Sequence, residues 1–163
     1  MLFQVYAGRL MTICSRYAHD NHEAEDMLQE AFMKIFKYIN QYKSIGSFEG
    51  WVRRITVNAA LQVLQRRKIK FTEIGHVPFD PESPEPSVLS GLDAEDLLKL
   101  ISQLPDGYRT VFNLFAVEGY SHEEISAMLK IKTATSRSQL SKARAMLKEK
   151  INSLQKIRVN DVR

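Results

Sequence analysis

Residues 121–151 read SHEEISAMLKIKTATSRSQLSKARAMLKEKI. Ser121 followed three residues later by Glu124 is a capping box, in which each side chain satisfies an amide that the helix start leaves open. Ile125, Met128 and Leu129 then share one helix face. Lys130–Lys132 form a short turn, and a second helix is predicted from Thr133 to about Leu154. A short capped helix, a tight turn and a longer basic helix make a helix-turn-helix. The first helix braces the second, and the second is free to enter a major groove. Thr135, Ser136, Arg137, Gln139, Ser141, Lys142 and Arg144 supply hydrogen-bond donors on it. Arginine can grip guanine and glutamine adenine through two bonds each, while lysine and serine reach phosphates or bases. A helical hairpin with a solvated basic surface has the same pattern, so both readings stand at this point.

Helical periodicity continues upstream. Asp93 opens a helix, with Asp96 three residues on as a capping pair, and Pro105 ends it. The next helix is predicted over Asp106–Val117 and stops near Gly119. Between residues 71 and 92 the pattern breaks. Four of the five prolines fall there (Pro78, Pro81, Pro84, Pro86), and proline removes an amide donor and restricts the residue before it. This stretch is predicted to be a semi-extended tether. It separates a domain over residues 1–70 from one over residues 93–163. In the first domain, helices are predicted over Phe3–Tyr17, His22–Tyr42 and Phe48–Arg67. Their inward positions are Val5, Tyr6, Leu10, Ile13 and Cys14; Ala24, Met27, Leu28, Ala31, Phe32, Ile35, Phe36 and Ile39; and Trp51, Val52, Ile55, Ala59, Val63 and Leu64. Strand-like alternation is nearly absent. The fold class is all-α: two small helical domains on a flexible Pro-rich acidic linker, the second containing the helix-turn-helix.

Charge follows the same division. Residues 1–70 carry 11 Lys/Arg against 6 Asp/Glu, residues 71–98 carry none against 7, and residues 99–163 carry 12 against 6. Two basic blocks flank an acidic one, within a net charge of +4. Basic blocks suit a polyanion, although solvated helical surfaces have the same composition. No apolar run is long enough to span a bilayer, the start lacks a secretory pattern, and the single Cys14 cannot form an internal disulfide. Together these favour a reducing, cytoplasmic setting without membrane insertion.

The first domain has its own signal, KSIGSFEGWVRRITVNAALQVLQRRK over residues 43–68. Phe48 and Trp51 sit beside Arg53 and Arg54, with Asn58 and Gln62 on later turns and Arg66 near the end. Aromatic faces interleaved with cations suit unpaired bases and their backbone. The alternative for Phe48 and Trp51 is a place in the core.

The stretch AEDMLQEAFMKIF (24–36), together with 43–68, closely resembles the core region of bacterial sigma factors of the extracytoplasmic-function (ECF) group. LISQLPDGYRTVFNLFAVEGYSHEEISAMLKIKTATSRSQLSKARAMLKEKI (100–151) resembles their promoter-reading C-terminal region. The resemblance implies an alternative sigma factor that binds core RNA polymerase and directs promoter recognition, DNA melting and initiation. It implies that Asp26, Gln29, Glu30 and Phe32 meet the polymerase clamp. Phe48, Trp51, Arg53, Arg54 and Asn58 would face the downstream promoter element, while Gln62 and Arg66 are read as DNA contacts from the aromatic-cationic pattern of the same stretch. Thr135, Arg137, Gln139, Ser141, Lys142 and Arg144 would face the upstream one, while Ser136 is read as a DNA contact only from its donor on the same helix. An anti-sigma partner is implied as well. The chain starts abruptly relative to the family's first helix. It also departs from the pattern at Lys130, where the family often has glycine, which predicts an altered turn. Lys132 replaces a frequent capping serine, so Thr133 is expected to cap instead, and Ser136 stands at a usually apolar position.

Asp26 and Glu30 lie four apart and could imitate a catalytic carboxylate pair, but no nucleophile, glycine-rich phosphate loop or shuttling histidine accompanies them. Cys14, His19 and His22 lack a fourth metal ligand. The expectation is a protein without catalytic activity, metal or cofactor. Two rival classes stay open: a regulator that binds duplex DNA without polymerase, and a helical protein-interaction module.

Overall fold

The computed structural model describes residues 2–67 and 93–160. The Pro-rich tether read over residues 71–92 lies outside the described residues. The chain divides into two compact units, residues 1–69 and 70–163. Every regular element among the described residues is helical, and none of these helices is long and apolar enough to cross a membrane.

The first unit contains α1 (Leu2–Tyr17), α2 (Asn21–Tyr38) and α3 (Phe48–Arg66), with a single 3₁₀ turn at Ile39–Gln41. Asp20 caps α2 by accepting from the Glu23 amide at 2.8 Å, and Ser47 caps α3 through Gly50 at 3.0 Å. The core is built from Leu10, Ile13, Cys14 and Tyr17 of α1, Ala24, Met27, Ala31 and Ile35 of α2, and Val52, Val57, Ala59, Ala60, Leu61 and Leu64 of α3. Alanines on α2 and α3 let those two helices approach closely. Cys14 is fully buried, and burial pushes its thiol up to about 12, so it behaves as a small hydrophobe. Two expected core residues lie outside: Val5 and Phe36 are exposed. The apolar stripes of α1 and α2 are wider than the faces their neighbours can cover.

The second unit contains α4 (Ala94–Ser102), α5 (Asp106–Phe112), a π-helical turn at Asn113–Val117, α6 (His122–Leu129) and α7 (Thr133–Asn160). Asp93 caps α4 through the Asp96 amide at 2.8 Å, as its spacing predicts. Leu100, Ile101 and Leu104 pack with Ala143, Leu147 and Ile151 of α7. Buried Arg109 joins α4 to α5: it donates to the Ser102 carbonyl at 2.9 Å and meets Asp106 at 2.7 Å. Pairing of this kind is what permits a charge at low exposure. Gly119 takes φ +80° and turns the chain toward Ser121. The Ser121–Glu124 capping box forms in both directions, at 3.1 and 2.8 Å.

The turn after α6 departs from expectation. Lys130 adopts the left-handed conformation that glycine favours, at φ 55° and ψ 44°. Its amide bonds to Ser126, whose hydroxyl donates to the Ile131 carbonyl at 2.5 Å. The helix-turn-helix geometry is thus kept, at a conformational cost carried by the lysine. Thr133 is the first residue of α7 rather than its cap. A left-handed non-glycine residue costs about 1–2 kcal/mol, part of which the extra freedom of unfolded glycine cancels. Lys130→Gly is therefore expected to stabilise the unit by a few tenths to about 1 kcal/mol. Hydrogen exchange of α6 and α7 amides in the intact chain reads this out. Unchanged or faster exchange would show that the turn holds no strain.

Candidate functional site

Three surfaces collect the expected functional residues, two on the first unit and one on the second.

On α2, Asp26 and Gln29 are exposed, and Asp26 lies 3.4 Å from the His22 imidazole. Glu30 is half-buried between Arg66 at 2.9 Å and Lys34 at 3.6 Å. The Arg66 hydrogen bond is the main reason its carboxyl sits below the usual carboxylate range. Phe32 does not belong to this surface. It is only 5% exposed, with its ring 4.7 Å from Phe3 and 6.1 Å from Phe36. Helical period explains the correction: Phe32 lies four residues after half-buried Leu28 and next to fully buried Ala31, on the edge where Phe3 of α1 covers it. Met33 and Phe36 instead continue the line of Asp26 and Gln29, at 66% and 54% exposure. The sequence reading missed Met33 and turned Phe36 inward.

On α3, Arg54, Asn58, Gln62 and Arg66 recur every four residues along one exposed line, with exposed Arg53 beside it. Gln62 accepts a hydrogen bond from Lys34. Arg67, the residue just after α3, holds both oxygens of Glu23 at 2.8 Å. Phe48 and Trp51 are half-buried in an aromatic cluster. Their centroids are 5.6 Å apart, and Tyr42 lies 5.3 Å from Phe48 and 5.4 Å from Trp51. Tyr6 meets Phe48 at 5.9 Å. Each ring therefore spends part of its surface on packing. Beside the cluster the loop bends through two left-handed residues, Ser44 and Gly46, and Tyr42 donates to the Gly46 carbonyl at 2.8 Å. Ile45 between them is strongly exposed. The sequence reading passed over Tyr42 and Ile45.

On α7, Arg137 is exposed, and Ser141, Lys142 and Arg144 are half-exposed on neighbouring turns. Ser138, absent from the expected set, lies among them. Thr135, Ser136 and Gln139 do not. All three are buried, Ser136 completely and Gln139 to 2% exposure. The periodicity could have found two of them, because stepping back four residues from Leu140 and Ala143 reaches Ser136 and Gln139. Polarity hid the stripe. Ser136 is accommodated by His122 of α6, whose Nδ1 lies 2.9 Å from the hydroxyl. The His122 ring stacks on Phe115 at 4.6 Å, and the Arg144 guanidinium lies over the same phenyl ring at 5.7 Å. Arg137 is 3.6 Å from Glu123. The second helix of the motif is thus held by a polar contact as well as by its apolar seam.

Comparison with known proteins follows this division. Residues 2–69 match the family model for sigma-70 region 2, and residues 94–147 match sigma-70, region 4. The chain is 33% identical over 153 residues to the ECF RNA polymerase sigma factor SigE of Mycolicibacterium smegmatis, covering 91% of this chain and 59% of that relative. It is 29% identical to the RNA polymerase sigma-H factor of Pseudomonas aeruginosa, covering 94% of this chain and 86% of the relative. It is 26% identical to the ECF sigma factor SigW of Bacillus subtilis, covering 94% and 88%. Among solved structures, the sigma factor RpoE in complex with the anti-sigma factor NepR from Bartonella quintana has a similar fold. Its TM-score is 0.55 at 21% identity, over 90% of this chain and 92% of that one.

The His122 site carries a pH dependence. Desolvation first, and then the charge of Arg137, hold the imidazole below its ordinary pKa of 6.5; Arg144 adds to this and Glu123 opposes it. A lowered folded-state pKa means that the unfolded chain binds the proton first. The contribution to stability is therefore complete above about pH 6.5 and is lost as pH falls through the folded value. Exchange of α7 amides should accelerate between pH 7.5 and 5.5, after correction for intrinsic rates, and His122→Phe should flatten that dependence. An equal acceleration in the variant would assign the effect elsewhere.

Proposed function

Because this chain belongs to the ECF group of RNA polymerase sigma factors, we propose that it joins core RNA polymerase, brings it to promoters with two spaced elements and helps open the duplex. The observation that carries this reading is the pairing, within one chain, of the four-residue polar ladder on α3 with a helix-turn-helix whose second helix exposes Arg137 and Lys142. A duplex-binding regulator needs only the second. An interaction module needs neither.

The work divides by chemistry. Asp26, Gln29 and Glu30, extended by Met33 and Phe36, form the polymerase-docking line on α2. Charged residues give it register, and the two exposed apolar side chains give it area to bury. Arg53, Arg54, Asn58, Gln62 and Arg66 face the downstream element. Their cations attract the phosphates, and Asn58 and Gln62 offer amides to bases. Phe48 and Trp51 support the loop that meets an unstacked base, which offsets an unstacking cost of a few kcal/mol. Arg137, Ser141, Lys142 and Arg144 face the upstream element. Polymerase makes the bonds, and this chain contributes none of the catalytic groups. Its place of action is that of the polymerase, the cytoplasm. An anti-sigma factor would hold it inactive; the similar fold of RpoE, crystallised with NepR, supports such a partner.

Sigma-free core polymerase supplemented with the folded protein should initiate on a promoter library from its own genome, and absence of initiation at every template overturns the reading. In the same system, Arg137→Ala with Lys142→Ala should weaken upstream-element binding by about 1–3 kcal/mol if a paired base contact is lost. Full binding by that variant at low salt favours the interaction-module class. Gln29→Ala with Glu30→Ala should weaken core binding while α7 exchange stays unchanged. Undiminished core affinity points to the polymerase-independent regulator.

A further inference from the structure

The outer edges of α2 and α3 meet in a layered polar cluster. The inner layer is Lys34 and Glu30, whose side chains are only 22% and 28% exposed. The outer layer is Gln62 and Arg66, on the exposed ladder of α3. Glu30 holds Lys34 at 3.6 Å and Arg66 at 2.9 Å. Lys34 in turn donates to Oε1 of Gln62.

The chemistry of the ammonium makes this last contact directional. Lysine has three donors and no acceptor, so it can hold only the oxygen of the glutamine amide. That fixes which way the amide faces: Oε1 toward Lys34, Nε2 away from it. An unconstrained glutamine reads adenine by accepting from N6 while donating to N7. With Oε1 engaged, the accepting half is compromised. An adenine amino group seeking the second lone pair would bring its own positive hydrogens up to the ammonium. What remains is a pair of N–H donors, which match O6 and N7 of guanine or O4 of thymine.

We propose that Lys34, braced by Glu30, is a positioning residue that makes Gln62 a donor-only reader and so sets base preference at the duplex step Gln62 faces. This rests on the reading of Gln62 as a downstream-element contact. Lys34 itself need not touch DNA. Its ionic partner Glu30 lies on the docking line, so the device joins the helix that meets polymerase to the helix that meets promoter.

The test uses holoenzyme reconstituted from core polymerase and the full chain, with transcription from a library randomised across the downstream element. The wild type should prefer guanine or thymine over adenine at one position, and Gln62→Ala should flatten that preference. Lys34→Met keeps the aliphatic stem and removes the donor. It should shift the preference toward adenine by about fivefold or more, the low end of what a paired base contact discriminates. Lys34→Arg, also donor-only, should retain the wild-type preference, and Lys34→Met with Gln62→Ala should match Gln62→Ala alone. Should Lys34→Met fail to fold by circular dichroism, Lys34→Ala makes the same test, with water in place of the ammonium. A wild-type preference for adenine overturns the proposal. So does an unchanged preference in the Lys34 variants while Gln62→Ala flattens it, an outcome that leaves Gln62 standing as a DNA contact. If Gln62→Ala changes no position, both the contact and its positioning by Lys34 fall, whereas the sigma-factor reading stands on initiation by the wild type.

Discussion

The seam between α7 and α4 determines what the second unit can offer to a partner. Ala143, Leu147 and Ile151 are drawn against Leu100, Ile101 and Leu104 by the removal of apolar surface from water. A helix has one rotation about its axis. Once that stripe is committed inward, the opposite arc must face outward, and it carries Arg137, Ser141 and Lys142. Nothing further is needed to present these side chains. The capping box at Ser121 and the left-handed Lys130 then set where α6 stops and α7 starts. The orientation of the exposed arc is therefore a consequence of burial.

The first unit applies the same rule, with an ionic edge added. The alanine-rich contact of α2 and α3 leaves their outer rims near enough for Glu23 to take Arg67 and for Glu30 to take Arg66 and Lys34. Ion pairs at a solvent-facing rim contribute about 0–1 kcal/mol each, so the apolar core carries the stability. Their value lies in geometry. They hold long side chains that would otherwise sample many rotamers, and they do so where α3 presents its polar ladder. The aromatic cluster of Tyr6, Tyr42, Phe48 and Trp51 does the corresponding work at the other end of α3, where it anchors the loop that projects Ile45.

A sigma factor must meet protein and nucleic acid with a small chain. On the reading proposed here for this chain, the two demands fall on adjacent helices of a single unit. The α2 line combines charge with exposed Met33 and Phe36, as suits a protein partner. The α3 line is cationic and amide-bearing, as suits DNA. The second unit adds a separate helix that exposes Arg137 beside half-exposed Lys142, as suits a duplex.

Sequence by itself determined that the chain is helical with two units, the caps at Asp93 and Ser121, and the family. These depend on local signals: apolar recurrence at three and four residues, and a capping side chain three residues before the amide it holds. The exposed cations Arg53, Arg54, Arg66 and Arg137 were legible for a related reason, since a charge is seldom buried without a partner. Tertiary structure alone decided the rest. Ser136 and Gln139 fall on the period of the apolar stripe, where their polarity disguised them, and the partner that accommodates the Ser136 hydroxyl is a histidine 14 positions away that no local pattern announces. Phe32 and Phe36 are both apolar on one helix, and only the reach of the neighbouring α1 puts one inside and the other out. Lys34 and Gln62 are separated by 28 residues and Glu23 and Arg67 by 44. Such contacts exist because packed helices bring distant edges together, and periodicity within a single helix carries no information about what its neighbour places opposite.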